Sequence, residues 1–106
     1  MKLWIDDVRP APEGYVWIKS VQDAIIEIIY TEGAAYFGEE EEIELIDMDH
    51  DAGDYAYDGG DYIKLLNWLE ATGRNYPIRI HSMNPVGVAN MRAIIQKNGW
   101  TEIKDV

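Results

Sequence analysis

The chain has 106 residues, 47% of them hydrophobic and 27% charged, which suits one soluble α/β-sized domain, residues 1–106, with a core that needs no staples. Twenty acids against nine lysines and arginines give a formal charge of -11, which excludes broad adhesion to duplex DNA or anionic membrane, and zero cysteines exclude a disulfide framework, a thiolate metal site and a cysteine nucleophile. No apolar run reaches the ~20 residues of a membrane helix and MKLWIDD lacks the hydrophobic stretch of a secretory signal, so the expectation is a cytoplasmic chain.

In chain order, LWI at 3–5 predicts a short buried strand that ends in Asp6 and Asp7. RPAPEG, with Pro10, Pro12 and Gly14, predicts a stiff loop where a helix would otherwise follow. YVWI at 15–18 predicts a second strand. Ser20 then reads as an N-cap, and Val21, Ala24, Ile25, Ile28 and Ile29 recur at helical spacing, predicting a helix of about three turns that stops near Gly33. GAAYFGEEEE reads as a connector whose glutamates repel one another into solvent.

IELIDMD predicts the third strand, and DAGDYAYDGGD a Gly and Asp loop. Ile63, Leu66, Trp68 and Leu69 predict a second helix with Gly73 as its stop. PIRIHSMN predicts the fourth strand; Asn84 as N-cap with Pro85 behind it begins a third helix that stops at Gly99, and the tail WTEIKDV predicts a last edge strand. Trp4, Trp17, Trp68 and Trp100 sit in or beside these elements, where core packing is the expectation. Strands alternating with helices predict a mostly parallel sheet covered on both faces.

In such a sheet ligands sit beyond the carboxyl ends of the strands. Those ends carry Asp6 and Asp7, then Asp49, His50 and Asp51, then His81, Ser82 and Asn84, and both histidines of the chain are among them. Neighbouring parallel strands about 4.8 Å apart would bring these groups to one place. Two unit charges 4 Å apart at an effective dielectric near 20 repel by about 4 kcal/mol, so clustered carboxylates favour a cation among them. Hard oxygen donors suit Mg²⁺ or Mn²⁺, whereas two histidines and no cysteine fit zinc less well. A bound cation makes the acidic pocket attractive to phosphate, and the helix start at Pro85, the room at Gly87 and the guanidinium of Arg9 add anion preference.

The acid pair, the aspartate closing IDMD and the serine after the fourth strand resemble a response-regulator receiver domain. DDVRPAPEGY, DMDHDAGD and HSMNPVGVANM together are similar to the cyclic-phosphate processing receiver-like domains, whose motifs are DDxRPxP, DHDxG and HSxNPxGxxNM. The resemblance implies a flavodoxin-like three-layer sandwich of four or five strands with the first receiver helix replaced by RPAPEG. It also implies metal-assisted processing of a cyclic phosphate on a nucleotide or RNA end. By position it makes Asp6, Asp7 and Asp49 the acidic centre, His50 and Asp51 the DHD motif, and His81, Ser82, Asn84 and Asn90 the last motif. Where a receiver has a lysine after its last strand, this chain offers Lys104 in the tail.

Three functions compete on this reading. The first is a metal-dependent phosphoesterase, with Asp6, Asp7 and Asp49 on Mg²⁺ or Mn²⁺, His81 and His50 dividing acid and base roles, and Arg9, Asp51, Ser82, Asn84, Gly87 and Asn90 on the phosphate side. The second is a phosphoaccepting receiver, with Asp49 as acceptor and Ser82 as its reporter. The third is a non-catalytic acidic pseudo-receiver that binds a protein partner or sequesters a nucleotide.

Overall fold

The computed structural model describes residues 1–104. In order these form β1 (Lys2–Ile5), β2 (Tyr15–Ile18), α1 (Val21–Tyr36), β3 (Leu45–Met48), a short 3₁₀ turn (Gly53–Tyr55), α2 (Ile63–Ala71), β4 (Ile78–Ile80) and α3 (Pro85–Lys97). All four strands are parallel, in the spatial order β2-β1-β3-β4. This is the α/β, receiver-like architecture expected from the alternation of strands and helices.

Register follows the pleat. Lys2 lies opposite Tyr15 and Leu45, Ile5 opposite Ile18 and Met48, and Asp47 opposite Arg79. Side chains alternate across a strand, so Leu3, Ile5, Ile18, Ile46, Met48 and Ile78 share one face. That face meets Val21, Ala24 and Ile28 of α1, Leu65, Leu66 and Leu69 of α2, and Met91 and Ile95 of α3 in a single buried core. Removing such side chains from water contributes about 1.5–3 kcal/mol each. Tyr62 is fully buried beneath them, and its hydroxyl donates to the Lys19 carbonyl at 2.7 Å.

The three helices pack on one face of the sheet among the described residues, and the second face is met by the Pro-rich loop that the resemblance puts in place of a helix. The physical reason is handedness. The step from β1 to β2 runs opposite to the steps from β2 to β3 and from β3 to β4, so right-handed crossovers put the first connection on one face and α1 and α2 on the other. The third helix packs beside α2. The first connection is the Pro-rich loop, which lies over the second face, where the indole of Trp4 donates to the Arg9 carbonyl.

Element ends depart from expectation in three places. The first helix runs through Gly33 to Tyr36, so the connector begins later; one internal glycine costs only about 1 kcal/mol against alanine. It closes at Phe37, before Gly38 at φ 95°. The tail makes one parallel bridge, Glu102 to Ile78, where a strand was expected. Trp17 is exposed on the edge strand and not in the core, while Trp4 is buried and Trp68 and Trp100 pack against the core. No helix among the described residues is long and apolar enough to cross a membrane.

Candidate metal and phosphate site

The sheet order sets the carboxyl ends of β1, β3 and β4 side by side. The ladder continues one residue past each: Asp6 N–H donates to the Ile18 carbonyl at 3.1 Å, Asp49 N–H to that of Ile5 at 2.9 Å and His81 N–H to that of Met48 at 2.9 Å. These bonds fix the backbone at the residues on which the chemistry rests. Carboxylate oxygens of Asp6, Asp7 and Asp49 lie within 4.8 Å of one another.

The three acids are held differently. Asp6 is fully buried, and its Oδ1 accepts from the backbone N–H of Val8 at 2.9 Å and of Arg9 at 2.8 Å. Burial alone would raise its pKa, but these two backbone donors together with His81 outweigh it, and the carboxyl lies below the usual carboxylate range. Asp7 goes the other way: burial first, then the charges of Asp6 and Asp49, push its carboxyl up. The left-handed Gly53, φ 53°, closes over it, since a Cβ there would lie 2.2 Å from Asp7 Oδ2. Asp49 accepts from the His50 N–H at 2.7 Å.

Behind Asp6 stands a buried chain of charge. His81 Nε2 meets Asp6 Oδ2 at 2.9 Å and His81 Nδ1 meets Asp47 Oδ1 at 2.6 Å, while Asp47 Oδ2 accepts from Arg79 at 2.7 Å. The His81 ring stacks on Trp4, centroids 3.7 Å apart and planes 5° from parallel, with only 6% of its side chain exposed. Both ring nitrogens thus face carboxylates. Asp47, Arg79 and Trp4 are the residues that sequence reasoning missed as parts of the site. Their signal was present: Asp47 and Arg79 each stand two residues before a predicted site residue, on the same side of their strands as Asp49 and His81.

His50 is placed in another setting. Its Nδ1 lies 2.7 Å from Asp51 Oδ1, and its ring lies against the first turn of α3, where a Cβ on Gly87 would fall 2.4 Å from His50 Cγ. The third helix begins as the sequence predicts: Asn84 Oδ1 accepts from the Gly87 N–H at 3.0 Å, and Ser82 Oγ accepts from the Asn84 N–H at 3.1 Å. Pro85 has no N–H and Gly87 gives its own to the cap. The first turn therefore offers an anion the Val86 N–H, fewer donors than an uncapped helix start. Arg9 reaches the site through its backbone while its side chain is exposed, and Asn90 is exposed in the middle of α3.

The set therefore offers three convergent hard oxygens, one of them with ionisation disfavoured by burial and then by its neighbours, beside a paired imidazole and a helix start. A divalent cation of the Mg²⁺ or Mn²⁺ type fits this donor set, because it replaces carboxylate repulsion with attraction. The chain matches the sequence model of a family described as the cyclic-phosphate processing receiver domain over residues 1–97. No curated protein and no solved structure matches it.

Proposed function

Because the chain belongs to the cyclic-phosphate processing receiver family, we propose that it hydrolyses a cyclic phosphate of a nucleotide or RNA end, with Asp6, Asp7 and Asp49 holding Mg²⁺ or Mn²⁺. The observation that carries this reading is the convergence of those three carboxylates within 4.8 Å at the ends of adjacent parallel strands. When bound, the ion polarises a phosphoryl oxygen and lowers the pKa of water.

The remaining roles belong to side chains. Asp51 accepts from His50 Nδ1, which leaves Nε2 to take a proton from the attacking water and return it to the leaving oxygen. The water oxygen bonds to phosphorus, one ester P–O bond breaks, and the released alkoxide gains the proton. Ser82 Oγ already accepts from Asn84, so its hydroxyl hydrogen is available to a phosphate oxygen, as are the Val86 N–H and the Asn84 amide hydrogens. Arg9 supplies an outer cationic contact. His81 acts through Asp6 as a positioning residue, itself held by Asp47 and Trp4.

The test is incubation of the purified chain, with Mg²⁺ or Mn²⁺, with a panel of cyclic mononucleotides, cyclic dinucleotides and 2′,3′-cyclic RNA ends. Metal-dependent ring opening that Asp49→Asn and His50→Gln abolish is the expected result. A panel left intact by folded, metal-bound protein overturns the proposal and leaves the pseudo-receiver as the reading.

A further inference from the structure

We infer that the outward face of α1 is a docking surface for a cationic amphipathic helix of a partner protein. A helix of a small domain normally buries one apolar stripe and shows water a polar one. The first helix has two apolar stripes. Val21, Ala24, Ile28 and Thr31 face the core, while Ile26, Ile29, Tyr30, Gly33 and Phe37 recur at helical spacing on the opposite side, with Ile29 50%, Tyr30 72% and Phe37 85% exposed.

The stripe is continuous with further apolar surface. At its start, Ile26 borders a cleft of about 430 Å³ shared with Val16, Trp17 and Tyr55, beside β2, the edge strand of the sheet among the described residues. At its end, Ile29, Tyr30, Gly33, Ala34 and Phe37 line a second groove of about 370 Å³. Gly33, which has open space around it, lets a partner backbone approach closely. Tyrosine and tryptophan with aliphatic neighbours are the residues that anchor interfaces.

Charge selects the occupant. Asp23, Glu27 and Glu39 edge the two grooves and outnumber their one cation, Lys19, whose ammonium lies over the Trp17 and Tyr55 rings, while Glu41 stands beside Tyr30 and Glu39 on a chain of net charge -11. A second copy would set those borders and two large negative charges against each other. A helix with an apolar stripe and flanking lysines or arginines meets both features of the surface.

The probe is a synthetic Leu/Lys amphipathic helix, labelled and titrated with the purified full chain by fluorescence anisotropy, alongside a Leu/Glu helix of the same pattern. Ile29→Glu and Tyr30→Glu, both at exposed positions, separate docking from mere attraction, since each adds negative charge while removing apolar surface. Saturable binding of the Leu/Lys helix that weakens at least about tenfold in both variants, with melting temperatures retained, is the expected result. Equal or tighter binding to the variants, no binding to the wild type, or equal binding of the Leu/Glu helix would overturn the inference. So would sedimentation showing that the wild-type chain dimerises through this face and that Ile29→Glu abolishes the dimer, because a second copy would then be the occupant.

Discussion

Replacing Asp47 by asparagine keeps the size of the side chain and removes the charge at the centre of the buried network. The wild-type carboxylate accepts from Arg79 at 2.7 Å and from His81 Nδ1 at 2.6 Å, with no access to water. An asparagine has one acceptor oxygen for these two donors and turns N–H groups toward the other. Breaking a buried charged pair costs about 3–5 kcal/mol; since asparagine retains one bond, the lower end applies, about 3 kcal/mol. At about 4–8 °C per kcal/mol for a domain of this size, the melting temperature should fall by about 12–24 °C. Circular dichroism melts at neutral pH, backed by urea titration, measure this. The double variant with Arg79→Met should show coupling, losing about 0.5–3 kcal/mol less than the sum of the single losses. A single variant within about 1 kcal/mol of wild type, or strict additivity in the cycle, would refute the claim that Asp47 is the charge centre of this network.

Further outcomes follow from the same geometry. Asp7 has a folded pKa above its ordinary 3.8, so its contribution to stability is fully present below that value and falls as pH rises through the folded pKa. Asp7→Asn should therefore raise the melting temperature of metal-free protein at neutral pH, with the gain vanishing in acid melts, and should weaken Mn²⁺ binding; a variant less stable than wild type at neutral pH would contradict the electrostatic account. Glu32 has the opposite sign. Arg74 first, then Tyr76, hold it below 4.5, so its contribution is present above that pH and lost as pH falls through the folded pKa. Glu32→Gln should cost up to about 1 kcal/mol at neutral pH in urea titrations and progressively less in acid. Gly87→Ala should destabilise by about 1–3 kcal/mol through the clash with the His50 ring, and should lower any ring-opening rate by about 10²-fold while leaving Mn²⁺ affinity within about twofold of wild type.

The elements were largely legible from sequence because local chemistry agrees with the fold. Ser20 and Asn84 cap their helices as read, Gly73 and Gly99 stand at positive φ just past the second and third, and both histidines fall at strand ends. The first helix overran its predicted stop because Gly33 demands no special backbone and the alanines after it favour helix. That all three helices lie on one face could not be seen in periodicity. It depends on which side of β1 the second strand pairs, a tertiary choice that then fixes where the crossovers lie.

The site was legible in its acids and obscure in its support. Asp6, Asp7 and Asp49 stand at strand ends that any parallel arrangement of β1 and β3 brings together. Asp47 is one more acid inside a predicted strand until the register places Arg79 opposite it and His81 beyond, and only then does its burial make sense. Likewise His81 and His50 look equivalent as letters. In the fold one is enclosed between two carboxylates on an indole, and the other rests on a glycine at a helix start.

Binding of Mn²⁺ to the metal-free chain, followed by electron paramagnetic resonance, tests the acid cluster most directly. The account predicts one site, lost or weakened at least about tenfold in Asp49→Asn and in Asp7→Asn, with Asp54→Asn unchanged as a control among the exposed acids. No saturable site, or equal affinity in all three variants, would show that the three carboxylates do not act together on a cation.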